Sequence, residues 1–368
     1  MGVLNSKHPL RYSLNKGQQS LATQNSAILF VYFDYLQCPI SGIIGITSRS
    51  IQNFSGMSNK VVAKEEFAIE ISCADFNPRN EVIVLGFSNG LIKLIRATNF
   101  QVLCELHTPD PVMYLNSKLP KTLFVGCSNS ALKTYTISTN TLIEQAVYLE
   151  TDKTLRLFGL ECNQSEKKLF VGYNNEKKSI IHQFVGDTSK PSLTIKEEGK
   201  VFKQLQVLDK YKMIMCLEEK GLGFFIYNYN ESNLVASVSI PKTTNSFTLL
   251  ANTRQLRSVY ISDIESIPSD DAEDSLEGND RDIVYLFGSE GVMVILLHSF
   301  NSKGKRVFSL IPKDNYELKN LLPSKENTKI IAHYIDPVTD KLLLGLENQE
   351  INIIERTIRK AMNPSKDT

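Results

Sequence analysis

Residues 86–90 read Gly-Phe-Ser-Asn-Gly, the G-x-S-x-G spacing of a nucleophile elbow. In that chemistry a serine Oγ is presented for acyl transfer on a sharp strand-to-helix turn, with Asp or Glu and His supplied from further along the chain. Here the next residues are Leu91-Ile-Lys-Leu-Ile95, a short β-prone run that reads as a strand and not a helix. Near-equivalent turns recur as Cys127-Ser-Asn-Ser130 and Gly288-Ser-Glu-Gly291. A catalytic serine has no reason to recur along a chain, whereas a hairpin turn does, and Asn-Gly supplies the positive φ angles that such a turn needs. The motif is therefore read as a turn, and no catalytic residue is assigned.

Metal and thiol chemistry find no better footing. The histidines (His8, His107, His182, His298 and His333) share no ligand spacing and are expected at the surface or at strand ends. The cysteines (Cys38, Cys73, Cys104, Cys127, Cys162 and Cys216) include no CxxC pair, so zinc-ribbon and redox motifs are absent. Cys73, Cys127 and Cys216 sit in apolar, strand-like runs and are expected to behave as small buried hydrophobes. No cofactor, metal or small-molecule substrate is expected, and the chain is read as not an enzyme.

Composition narrows the partners. The 368 residues are 42% hydrophobic and 22% charged, an ordinary globular balance. The 41 basic and 40 acidic residues leave a formal charge of +1, without the basic excess expected where nucleic acid is the main partner. The N-terminus lacks the basic stretch and apolar run of a secretory signal, and no apolar stretch approaches the ~20 residues that span a bilayer. A cytosolic or nuclear protein with reduced thiols is expected. Frequent Asn, Lys and Ile hint at a eukaryotic source.

The elements that would position any site come from one segment. Ile71, Cys73 and Phe76 alternate with polar residues as in a strand, and Asn77-Pro-Arg-Asn80 is a turn. Val82–Leu85 is a continuous apolar run expected of a strand covered on both faces, followed by the turn at Ser88-Asn-Gly90 and a returning strand. Val102–Leu106 makes a fourth strand. Aligning the chain on Gly86 recovers further copies, with anchors at Gly45, Gly126, Gly172, Cys216, Phe287 and Gly345. Successive steps are 41, 40, 46 and 44 residues, then 71 and 58. The first four match a propeller blade period of ~40–45 residues.

That frame, with its Phe-x-Pro turn, apolar strand ending in glycine and polar-Gly turn, resembles the WD-repeat β-propeller family. The signature residues are missing: there is no tryptophan, and Ile95-Arg96 stands where Trp-Asp would end a third strand. The resemblance implies an all-β, seven-bladed propeller over residues 8–357, between an N-terminal tail (1–7) and a C-terminal tail (358–368). The last unit lacks a good fourth strand, so His8–Leu14 is expected to supply it and close the ring.

The resemblance further implies that turns between second and third strands lie on one broad face. Phe87, Asn89, Asn129, Tyr173, Asn174 and Glu290 are then candidate contacts for a protein partner. Residues 262–282 form an acidic insert, with Asp270, Asp271, Glu273 and Asp274 at its centre, too polar to offset its ordering entropy. Met1-Gly-Val-Leu-Asn-Ser6 fits the N-myristoylation pattern, making Gly2 a lipidation candidate, and one acyl chain binds membranes only marginally. The function expected is a non-catalytic protein-interaction scaffold, a subunit of a larger eukaryotic complex, cytoplasmic and peripheral on a membrane where Gly2 is acylated. Two alternatives stand beside it. One is a phosphoinositide- and membrane-binding propeller, whose Phe-Arg-Arg-Gly stretch has no counterpart here; the other is a propeller hydrolase.

Overall fold

The computed structural model describes residues 11–14, 19–22, 28–34, 42–55, 60–77, 81–119, 121–138, 141–163, 165–186, 189–219, 223–239, 256–262, 280–288, 291–302, 305–317, 328–335 and 341–359. They are strands almost throughout. Two short ones, β1 (Arg11–Leu14) and β2 (Gln19–Ala22), precede six four-stranded antiparallel sheets. Blade one is β3 (Ile28–Asp34), β4 (Gly42–Thr47), β5 (Ser50–Phe54) and β6 (Val61–Glu66). Blade two is β7 (Ile71–Asn77), β8 (Val82–Phe87), β9 (Leu91–Arg96) and β10 (Val102–His107). Blade three is β11 (Val112–Asn116), β12 (Thr122–Cys127), β13 (Ala131–Ser138) and β14 (Thr141–Leu149). Blade four is β15 (Arg156–Asn163), β16 (Lys168–Asn174), β17 (Lys178–Val185) and β18 (Leu193–Glu198). Blade five is β19 (Phe202–Leu208), β20 (Met213–Glu218), β21 (Gly223–Asn228) and β22 (Asn233–Ser239). Blade six is β23 (Leu256–Ser262), β24 (Asp280–Gly288), β25 (Gly291–Ser302) and β26 (Lys305–Glu317). The remaining strands, β27 (Ile330–Ile335), β28 (Lys341–Leu346) and β29 (Glu350–Arg359), share a five-stranded sheet with β1 and β2.

The expectation of seven like blades, closed by one strand over residues 8–14, is corrected here. Six sheets are four-stranded blades, and the sheet joining the chain ends is a composite. Its third strand continues to Arg359, where the sequence reading expected a polar tail. At ten residues it is too long for one four-residue partner. β1 pairs only with Arg356–Arg359, and β2 takes the stretch Glu350–Ile353. Arg356, Thr357 and Arg359 interrupt the apolar pattern after Ile354, so the sequence carries only a weak strand signal over this extension.

In blades one to five burial follows strand position. The second strands β4, β8 and β12 are apolar runs buried almost end to end, because neighbouring blades cover both faces. The outermost strand alternates with solvent, as in β6 and β14. The core is accordingly a series of wedges between blades. Ile44, Ile51, Phe87 and Ile95 join blades one and two; Val84, Val112, Val125 and Tyr135 join two and three. Phe124, Leu160, Tyr173 and Phe184 join three and four; Phe170, Phe202, Leu205 and Tyr227 join four and five. Val31, Ile43 and Phe54 of blade one meet Ala332, Leu343 and Ile351 of the composite sheet. Each fully buried side chain of this kind contributes about 1.5–3 kcal/mol.

The anchor glycines have a packing cause. The innermost strand of every sheet carries a β-bulge one or two residues in from its start, as at Ser72, Met113, Phe158 and Lys203. The glycine on the neighbouring strand faces the close approach this creates. A Cβ on Gly86 would lie 2.6 Å from both Cys73 Sγ and Val112 Cγ1; on Gly126 it would strike Leu157, and on Gly172 the ring of Phe158.

Asparagines tie successive blades at the end of the ring where first strands turn into second strands. Asn77 Nδ2 donates to the Ser117 carbonyl, Asn116 Nδ2 to the Leu160 carbonyl (3.3 Å) and Asn163 Nδ2 to Tyr229 Oη (2.8 Å). Beside Asn77, the Asp75 carboxylate accepts the Ser117 hydroxyl at 2.7 Å. Burial raises the Asp75 pKa against the lowering effect of that bond.

A rigid loop surface and cleft at one end of the ring

The opposite end carries the turns between second and third strands and the links between blades. The turn at 88–90 closes with Gly90 N–H donating to Phe87 O at 3.0 Å, and Asn89 Oδ1 accepts Leu91 N–H at 3.1 Å. The turn at 128–130 repeats this, with Ser130 N–H to Cys127 O and Ala131 N–H to Asn129 Oδ1 at 2.9 Å. Gly90 is required at φ +86°, where a Cβ would also meet the Thr108 carbonyl. Ser88 therefore sits in a hairpin turn followed by a strand, as the spacing indicated, and the G-x-S-x-G match is geometric coincidence.

Of the candidate contacts, Asn89 and Asn129 are exposed, and Asn129 Nδ2 also reaches Asp110 Oδ2 at 2.8 Å. Asn174 is half-buried and donates to the Phe202 carbonyl, tying blade four to blade five. Phe87 and Tyr173 are corrected: both are 0% exposed. Each follows an anchor glycine at the end of a second strand, and strand alternation turns it into the wedge between blades. Phe87 stacks edge-on with Phe67 (5.4 Å between centroids), and Tyr173 lies against Tyr148 and His182. Glu290, the acidic residues Asp270, Asp271, Glu273 and Asp274, and Gly2 lie outside the described residues.

Histidine 182 also departs from expectation. It lies mid-strand in β17, 7% exposed, rather than at the surface. Its Nε2 is 2.8 Å from Glu150 Oε2 and its Nδ1 2.8 Å from Thr194 Oγ1; Tyr148 Oη donates to the same Glu150 oxygen at 3.0 Å. Each ring nitrogen thus has an oxygen partner, Thr194 at Nδ1 and Glu150 at Nε2. Burial pushes the His182 pKa down, opposed by Glu150. Burial works to raise the Glu150 pKa, but bonds from His182, the Asp152 amide and Tyr148 outweigh it, and the net shift is downward. Sequence separations of 32 and 34 residues left no local signal of this cluster. His107 is exposed at the end of β10, as expected; His333 is half-buried inside β27, and burial lowers its pKa to about 4.

Glu150 organises the link from blade three to blade four. Its Oε1 accepts Asp152 N–H, and Asp152 in turn accepts Thr154 N–H and bridges Lys178 Nζ at 2.9 Å. Asn175 Nδ2 holds Thr154 Oγ1 at 3.0 Å while its Oδ1 accepts the amides of Lys177 and Lys178. These fixed loops wall a cleft of about 570 Å³ between blades four and five. Thr154, Arg156, Asn174, Asn175, Glu176, Lys177, Val201 and Glu219 line it.

Cys73, Cys127, Cys162 and Cys216 are buried free thiols, and burial drives Cys73 and Cys162 up to about 12. Among the described residues no group of His, Cys, Asp or Glu is arranged to hold a metal ion, and no helix is long and apolar enough to cross a membrane.

No protein-family model and no curated protein matches the sequence. Among solved structures, a chain of a structure described as the crystal structure of a mitotic checkpoint complex is similar over 98% of this chain and 100% of its own length, with a TM-score of 0.65 at 11% identity. With the blade geometry above, that likeness makes the chain a β-propeller in architecture.

Proposed function

We propose that this protein is a non-catalytic protein-interaction scaffold and a subunit of a larger assembly, its partners being other proteins. The observation that carries the reading is the loop end of the ring. Its turns are locked by their own side-chain-to-backbone bonds, while Asn89 stays exposed at one turn and Arg156, Glu176 and Lys177 stay exposed around a cleft. A surface ordered before binding loses little entropy when a partner docks. That a structurally similar chain belongs to a multiprotein complex agrees with the subunit role.

The test is affinity purification of the tagged chain from its native extract, with mass spectrometry of the co-purifying proteins. A stable, stoichiometric set of partners is expected; a solitary monomer at native concentration overturns the proposal. The same experiment reads the N-terminal peptide. The Met-Gly-x-x-x-Ser start favours a second element of the proposal, a cytoplasmic protein held peripherally on a membrane by myristoylated Gly2. An added C14 acyl group on Gly2 supports that tether, and an unmodified Gly2 removes it.

A further inference from the structure

We propose that the cleft between blades four and five is a peptide site for a short extended segment carrying a carboxylate and a cation a few residues apart. The inference rests on the scaffold reading and names the place and chemistry of one contact.

Four charged side chains line the cleft, two of each sign: Arg156 and Lys177, Glu176 and Glu219. Beside the cleft, two other acidic groups are consumed locally. Asp152 is held by Lys178, and Glu197 by Lys200. Arg156, Lys177 and Glu176 form no ion pair among the described residues, and all are exposed. Arg156 opens the innermost strand of blade four, in register with Asn174, so its five donors stand at the cleft without a carboxylate. Its partner chemistry is a planar carboxylate, which a guanidinium grips with two parallel bonds.

The amides make the site fit a main chain. Asn174 spends its Nδ2 on Phe202 O, and Asn175 spends its Nδ2 on Thr154 in the neighbouring link and its Oδ1 on its own turn. The walls are therefore rigid, and Asn174 Oδ1 is left to accept a peptide N–H. Half-buried Val201 gives the cleft a small apolar patch. A ligand of one sign would be repelled by half of this lining. One with both signs, spaced along an extended backbone, satisfies all of it, and the loop network around Glu150 holds the geometry without touching the ligand.

The experiment pans a phage-displayed library of random linear twelve-residue peptides on the full chain. Enriched sequences are then synthesised with free and with amidated C-termini. Affinities are measured for wild type, Arg156→Glu, and Glu176→Lys with Glu219→Lys. Those three positions are exposed, and unchanged melting curves confirm intact folding. Enriched peptides are expected to pair Asp or Glu with Lys or Arg. Arg156→Glu should weaken them at least about tenfold, and the double variant should reverse the preference of the cationic position. Retained affinity after amidation assigns the carboxylate to a side chain, and loss assigns it to the chain terminus. No enrichment, or affinities indifferent to all three substitutions, overturns the site. Partners co-purifying from native extract in that event leave the scaffold reading standing, so the two failures are distinct.

Discussion

His182 of blade four and Glu150, which ends the outer strand region of blade three, are joined at 2.8 Å; burial holds the imidazole's pKa down, and the bonds Glu150 accepts hold its carboxyl's down. This bond links two blades and fixes the loop that walls the cleft, so its chemistry sets a pH dependence. His182 and His333 both have folded pKa values below the ordinary 6.5. Folding then favours the neutral rings, and the stability they add is complete above about pH 6.5 and is lost as pH falls. For His333 the loss runs from 6.5 to about 4 and is on the order of 2–3 kcal/mol. Glu150, lowered from 4.5, loses its contribution further down, as pH falls through its folded value. Urea midpoints at pH 7.5, 6 and 4.5 should fall in wild type and fall less in His333→Gln. An identical slope in both proteins would exclude the assignment.

Gly172 faces the ring of Phe158. Gly172→Ala should destabilise by about 1–3 kcal/mol through overpacking. Phe158→Leu in the same chain should recover part of that loss, although on its own it leaves a small void. Denaturation midpoints of the two single variants and the double variant give the coupling, and strict additivity would count against the close approach.

Tyr173 buries its hydroxyl without a hydrogen-bond partner. An unsatisfied buried polar atom costs about 1–3 kcal/mol. Tyr173→Phe should therefore leave stability unchanged or raise it by about 1 kcal/mol. It should also leave partner binding untouched, since the ring faces the wedge between blades. A clear loss of stability would mean that the hydroxyl has a partner.

Equivalent turns before the second strands of blades two to five hold Glu81, Lys121, Lys167 and Lys212 at φ of 56°, 58°, 52° and 55°. These L-residues sit in the left-handed region, which costs about 1–2 kcal/mol. Lys121→Gly should stabilise by up to about 1 kcal/mol, the strain relief exceeding the added unfolded-state entropy. Lys121→Val should destabilise by a similar amount, as branching at Cβ worsens the clash. The melting temperatures of the pair should thus lie on either side of wild type.

The strands of blade two, the glycine-anchored second strands of blades three and four and the burial of Cys73, Cys127 and Cys216 were legible in the sequence. They depend on alternation, turn residues and apolar runs within about ten residues, and the glycine anchors mark where strand and bulge crowd together. Three things depended on contacts between distant residues. Phe87 and Tyr173 look like turn residues until a neighbouring blade is set against them. His182 looks isolated until Glu150 and Thr194 are brought to either side of its ring. The composite sheet exists because β29 meets two separate N-terminal segments, a pairing no local pattern encodes. The sequence by itself determined the repeating all-β unit, because strand and turn formation answer to near neighbours. Only the tertiary structure decided which side chains face solvent, which charges remain unpaired at the cleft and how the chain ends share one sheet, because those follow from what packs against each blade.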